Sequence, residues 1–211
     1  ILFDVTNGNP NGDPDAGNMP RIDPTTNKGL VSDVCLKRKI RNFVIDFYKS
    51  SDGKPAEGKD VLIRQGAIIG NDIQEGIDAS SQKLDKKAKD KDKAKAAMEW
   101  LCKKFYDVRT FGGVLSVGQD VLKGSAFGQV RGPVQFTFAR SIDPITPLDI
   151  SITRCAVTKP EDEKKERTMG NKHIVPYALY AAKAYVSPVF AERTGFTTDD
   201  LEVFFEALQH M

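Results

Sequence analysis

The order of elements in this chain predicts an α+β domain, and three observations carry that prediction. A strand-like start leads through a turn-rich loop into an amphipathic helix, an alternating run GPVQFTFARSI lies far downstream, and a second amphipathic helix closes the chain. Strand, helix, a long insertion, strand, an extended hairpin, strand and helix is the ferredoxin-like, or RRM-like, order, with the extra segments as appendages.

Residues 1–6 read as a short strand. The loop after it, TNGNPNGDPDAGNMPRI, carries Pro10, Pro14 and Pro20, with Pro24 just beyond, which forbid regular structure. Ser32 suits a helix N-cap, and Asp33 suits the positive helix end. Leu36, Ile40, Phe43, Val44 and Phe47 then recur at helical spacing and predict a buried stripe. Lys37 and Arg41 lie one turn apart along its edge, with Arg38 beyond them.

Residues 50–59 read as a polar loop and 61–70 as a strand. The Lys/Asp-rich run KLDKKAKDKDKAK leads into a helix with Ala94, Ala97, Met98, Leu101 and Phe105 at helical spacing. The region 50–107 thus looks like an insertion. FGGVLSVG and GSAFGQVRG bracket a stretch expected to be mobile. Val134, Phe136 and Phe138 alternate and predict one strand, and Ile150, Ile152 and Arg154 begin another extended segment. KPEDEKKERTMGNK lacks anything to anchor a core and is expected as a charged hairpin tip or a disordered loop. HIVPYALYAAKAYVSP reads as a returning strand, although its Ala content also allows helix. A last helix starts near Thr198, with Leu201, Phe204, Phe205 and Leu208 as its expected buried face.

Composition limits the function classes. The chain has 211 residues, 40% hydrophobic and 28% charged, as a globular protein has. A net charge of +2 means that any nucleic-acid site must be a local patch. Cys35, Cys102 and Cys155 have no paired spacing, so reduced thiols in a cytosolic protein are expected. Two His exclude a His-rich metal site, and no apolar run approaches a membrane span. The chain starts without Met and stops at Met211 inside a helical pattern, so natural sequence is expected beyond both ends.

The opening loop admits four readings: a calcium loop, a phosphate cradle, a metal-dependent active site or a long turn. Counted from Asn7, the residues Asn9, Asn11, Gly12, Asp13 and Asp15 follow the first half of a calcium loop. The twelfth position is Asn18 rather than Glu, and prolines occupy the place of the flanking helix. The plainer reading is a series of Asx-turns. Phosphate-cradle motifs are absent: Lys123-Gly124-Ser125 has the wrong order for a P-loop, and FGGVLSVG does not match GxGxxG. His173 has no nucleophile motif beside it. The cluster Ser32, Lys37, Arg38, Lys39 and Arg41 follows a loop carrying Arg21 and Lys28. It reads either as a solvated helix face or as a track for a nucleic-acid backbone.

NGNPNGDPDAGNMPRID with VSDVCLKRKIR, and then FYDVRTFGGV, GPVQFTFARSIDPI, RTMGNKHIVPYALY and TGFTTDDLEVFFEAL, together resemble the CRISPR-associated Cascade backbone subunit of type I-C, a guide-binding backbone family. The resemblance covers most of the chain and is thinnest at 50–95. It implies an RRM-like palm (1–49 and 108–211), a finger-like insertion (50–107) and a β-hairpin thumb at about 143–171. It implies a non-catalytic, cytoplasmic subunit without cofactor or metal. Its partners would be the CRISPR guide RNA, target DNA, neighbouring copies of itself and other Cascade subunits, with no membrane. Base pairing would read sequence while the protein holds shape and backbone.

Carried over onto this sequence, the resemblance makes Ser32, Lys37 and Arg38, with Arg41 one turn on and Arg21 in the loop, the guide-phosphate contacts. Met169 would be the apolar wedge between bases, and the Lys run a contact to duplex DNA. Reversing Lys37 and Arg41 to Glu is then expected to abolish guide binding with the monomer still folded. The alternative activity, found in type III relatives, is a metal-dependent ribonuclease, for which Asp13 or Asp15 would serve. A calcium-binding loop is the third reading.

Overall fold

The computed structural model describes all residues except 83, 85–87, 117–120 and 157–168. In chain order the strands are β1 (Leu2–Gly8), β2 (Gly12–Asp13), β3 (Met19–Pro20), β4 (Lys28–Val31), β5 (Gly112–Val114), β6 (Gln129–Arg131), β7 (Val134–Phe136), β8 (Ala139–Pro144), β9 (Leu148–Thr153), β10 (Met169–Ala181) and β11 (Ala184–Val186). The helices are α1 (Asp33–Phe47), α2 (Ile69–Ser81), α3 (Asp90–Lys104), α4 (Tyr106–Phe111), α5 (Pro188–Thr194) and α6 (Thr198–His210). The chain packs as two compact units, Ile1–Cys35 with Phe136–Lys183, and Leu36–Gln135 with Ala184–Met211. These boundaries differ from those of the expected palm and insertion.

The first unit is built on an antiparallel sheet of order β1-β10-β8-β4. The inner half of β10 pairs with β1, Thr6 opposite Tyr177 and Leu2 opposite Ala181, while its outer half pairs with β9 alone. The core side carries Val31, Ala139, Ile174, Ala178 and Tyr180. The Phe3 ring stacks on Tyr180 at 5.4 Å between centroids. Gly29 is required by this packing: a Cβ there would lie 2.3 Å from the Tyr180 hydroxyl and 2.8 Å from Ile145 Cδ1. Its N–H donates to Ser141 Oγ at 2.8 Å. Gly29→Ala is expected to cost about 1–3 kcal/mol through overpacking, read as a lowered thermal midpoint. An unchanged midpoint would show that the ring has room to move.

The second unit has its core between α2 and α3, where Ile73, Ile77, Ala94, Ala97, Leu101 and Phe105 are buried. Gly76 permits the close approach, since a Cβ would stand 2.9 Å from both Leu101 Cδ2 and Trp100 Cε3. Burial pushes the Cys102 thiol up to about 12, which keeps it protonated and unreactive. Most of β7 belongs to this unit and pairs with β11.

Helix α6 opens with a capping box: Thr197 Oγ1 accepts from the Asp200 N–H, and Asp200 Oδ2 accepts from the Thr197 N–H. The same carboxylate receives Arg109 Nε (2.8 Å) and Nη2 (2.7 Å), and Lys59 Nζ (2.8 Å). Burial opposes its charge, but these hydrogen bonds and the two cations outweigh burial and hold Asp200 down at about 2.

Several expectations need correction. The strand expected over 61–70 is absent; the chain there runs without a strand into α2. The run 132–142 forms two strands, β7 and β8, broken at Thr137 and Phe138, and Phe138 is 51% exposed. At Thr137, backbone and hydroxyl turn instead to the Lys183 backbone. Phe47 and Phe205 are exposed rather than buried; Asp200, Val203, Phe204 and Ala207 form the buried face of α6. The expected mobile stretch lies partly, and the charged hairpin tip mostly, outside the described residues.

Candidate nucleic-acid interface

The opening loop is shaped by its Asn and Asp residues. Asn7 and Asn18 adopt left-handed backbone, with φ of +51° and +66°, as Asn tolerates. Between β2 and β3 the Asp13 carboxylate caps a single 3-10 turn by accepting the Asp15 N–H at 3.1 Å. Asn9 Nδ2 donates across the loop to the Asn18 carbonyl at 2.7 Å. The Arg21 N–H donates to the Asn11 carbonyl at 3.1 Å.

Asn11 is the buttress that brings Arg21 and Ser32 together. Its Oδ1 accepts both the Ser32 N–H and the Ser32 hydroxyl at 2.9 Å. Ser32 Oγ in turn accepts the Cys35 N–H at 3.3 Å, the N-cap expected from sequence. The single hydroxyl proton of Ser32 is therefore directed at Asn11. Arg21 reaches Asp13 at 3.6 Å, and its side chain remains 35% exposed. Arg21 keeps a face toward solvent while its backbone is fixed.

The remaining helix cations lie in the second unit and differ sharply from one another. Arg38 is exposed, and its Nε donates to Asn42 Oδ1 at 3.0 Å, one turn along α1. Lys37 is half-buried, with Nζ 5.9 Å from the centre of the Phe111 ring. Arg41 lies 5.3 Å over the same ring but is only 7% exposed. Its Nε donates to Asp107 Oδ2 at 2.8 Å. Asp107, 1% exposed, also accepts the Leu62 and Ile63 N–H groups at 2.8 and 3.1 Å. Arg41 thus neutralises a buried carboxylate that organises the chain around residue 62. Reversing Arg41 to Glu sets two carboxylates against each other in the core, so the expectation of a folded monomer with that change is corrected.

Met169 begins β10 opposite Thr153 and is 69% exposed. Cross-strand partners share a face, so Met169 stands with the pairs Ser151–Asn171 and Asp149–His173 on a polar side. His173 Nδ1 lies 3.5 Å from Asp149 Oδ1. The other side of the hairpin is apolar: Leu148, Ile150 and Ile152 are 46, 40 and 50% exposed, with Lys172 opposite Ile150. That stripe was visible as alternation in LDISIT, but sequence reading assigned the wedge to Met169 alone. Asn11, Asp107 and Phe111 carried no signal, because their partners are distant in sequence.

Of the Lys run, α3 carries Lys91, Lys93 and Lys95; Lys93 and Lys95 pair with Asp90 and Glu99 at 3.5 and 3.7 Å. Lys83, Lys86 and Lys87 lie outside the described residues. Among the described residues no group of three or more His, Cys, Asp or Glu is placed to hold a metal ion. Among them also no helix is long and apolar enough to cross a membrane.

Comparison with known proteins decides the family. The sequence model of the family described as "CRISPR-associated protein Cas7" matches residues 1–211. The chain belongs to the Cas7 family. A curated relative from Haloferax volcanii, "CRISPR-associated protein Cas7", is 27% identical over 219 aligned positions, covering 96% of this chain and 59% of the relative. The chain therefore spans about three-fifths of that relative's length. Among solved structures, a chain of the "CRISPR RNA-guided surveillance complex, pre-nicking" is similar at a TM-score of 0.57 and 15% identity, covering 99% of this chain and 69% of that one. At that identity the likeness speaks for the fold, a mixed α+β Cas7 architecture with antiparallel sheets.

Proposed function

We propose that this Cas7-family chain is a non-catalytic backbone subunit that binds CRISPR guide RNA in a cytoplasmic surveillance complex of type I-C. Several copies line the guide, beside other Cascade subunits, and present it to target DNA. The palm is the RRM-like part, residues 50–107 the finger, and the β9–β10 hairpin the thumb. The observation that carries the reading is the exposed Arg38, beside half-buried Lys37, on a helix that follows an Asn-built loop presenting Arg21. Phosphates need cations that are accessible yet held in place. The side chains of Arg38 and Arg21 are held by Asn42 and Asp13. Ser32 and Asn11 fix the loop that presents Arg21.

The ribonuclease alternative has less support. The Asp13 carboxylate is engaged by Arg21 and by the Asp15 N–H. Both contacts fall on Oδ1 and tie this carboxylate to shaping the loop.

The test replaces Lys37 and Arg38, not Arg41, by Glu. Guide-RNA affinity is expected to fall about ten-fold or more at moderate salt, while the circular-dichroism melt stays unchanged. Unaltered affinity would overturn the reading.

A further inference from the structure

Away from α1, the second unit holds a cleft of about 640 Å³ between α3, α5 and β6. Two aromatic side chains line it, Phe127 and Phe190, both half-buried. Two exposed arginines line it as well, Arg131 and Arg193. The Arg193 guanidinium lies 5.9 Å over the Phe190 ring. The volume falls within the range of small-ligand clefts, and a base with its sugar fits. Nothing in the reading of α1 and the opening loop uses this cleft.

We infer that the cleft binds a segment of single-stranded nucleic acid, stacking an unpaired base on Phe190 or Phe127 with Arg131 and Arg193 at the flanking phosphates. Aromatic faces beside cations are the chemistry that holds unpaired strands without reading sequence. A guanidinium plane already over a ring can stack on a base from its other side. Charge favours the same occupant. Of the two carboxylates at the rim, Glu99 is paired with Lys95 at 3.7 Å, which leaves Arg131 and Arg193 against Glu192. A cationic ligand would find two arginines opposing it. Unpaired stretches of the guide and the displaced target strand share this chemistry, and only the choice between them rests on the function proposed above.

The experiment measures fluorescence anisotropy of a labelled oligothymidylate of about ten nucleotides with the purified chain. Oligothymidylate removes base pairing with a guide from the measurement. Phe190→Ala is expected to weaken binding at least about five-fold, the lower end for losing one stacked base. Arg193→Ser, a surface change, is expected to flatten the salt dependence by about 0.7 in log–log slope. Both variants should retain the wild-type melt. Photocrosslinking then separates the sources. Thiolated guide RNA or thiolated displaced-strand DNA that labels the peptide containing Phe190 names the occupant, and either supports the site. Wild-type oligothymidylate affinity in folded Phe190→Ala and Arg193→Ser overturns it, as does a loss confined to the Lys37 and Arg38 variant. Failure of guide binding alone, with the oligothymidylate losses intact, overturns the function proposed above and leaves the cleft standing.

Discussion

Arg41→Glu unfolds the second unit, although the position sits among the cations that sequence marks for RNA. Arg41 and Asp107 are both nearly solvent-free, and their bond is 2.8 Å. Removing one partner of such a pair costs about 3–5 kcal/mol, and adding a second negative charge costs more. Against a typical stability of about 5–15 kcal/mol, that loss is large enough to remove the native state from much of the population. The measurement is a thermal or urea melt of Arg41→Glu beside Lys37→Glu with Arg38→Glu. The first should melt far below wild type or fail to express soluble protein, and the second should melt with wild type. A folded Arg41→Glu variant would mean that Asp107 finds another partner and that the core around residue 62 is looser than the geometry shows. A lost RNA affinity in Arg41→Glu therefore reports folding, not contact.

Asp200→Ala is the second change with a large expected effect. It strips the capping box from α6 and leaves Arg109 and Lys59, 8 and 16% exposed at their side chains, without their shared anion. The cost is again expected at about 3–5 kcal/mol. Asp200→Asn should be milder, because an amide oxygen still accepts the cap bond.

The same group sets an acid limit. With the folded carboxyl near 2 against an ordinary 3.8, the unfolded chain binds the proton more readily than the folded one. The stabilisation is present in full above about pH 4 and is lost as pH falls from there toward 2. The amount is about 1–2 kcal/mol once partial screening is allowed for. Melting midpoints across that window should fall more steeply for wild type than for Asp200→Asn. Parallel curves would contradict the assignment.

These residues show where sequence stops being informative. The first strand, the Ser32 cap, the Leu36–Ile40–Phe43–Val44 stripe and the α3 face follow from local periodicity, and each stands in the structure. Local rules had no access to Arg41. A cation at the edge of a helical stripe is ordinarily solvated, and its burial was decided by a carboxylate 66 positions away. Helix α2 was missed because VLIRQGAIIG is rich in β-branched residues. The signal that wins, Ile69, Ile73 and Ile77 one turn apart, starts only at the end of that run. Leu201, Phe204, Phe205 and Leu208 keep helical spacing, but the buried face is turned by one position to Asp200, Val203, Phe204 and Ala207, which leaves Phe205 outside. In the candidate site, the cations were legible as types. Their accessibility was not, and accessibility separates Arg38 from Arg41.

The central claim is that the chain holds a guide RNA passively through the loop and helix from Arg21 to Arg38. The most direct measurement is the nucleic acid that co-purifies with the chain, resolved by length and incubated with complementary RNA and magnesium. The account predicts one short RNA of uniform length, absent from Lys37→Glu with Arg38→Glu, and complementary RNA that stays intact. Protein free of nucleic acid, or regularly spaced cuts that vanish in Asp13→Ala or Asp15→Ala, would contradict it.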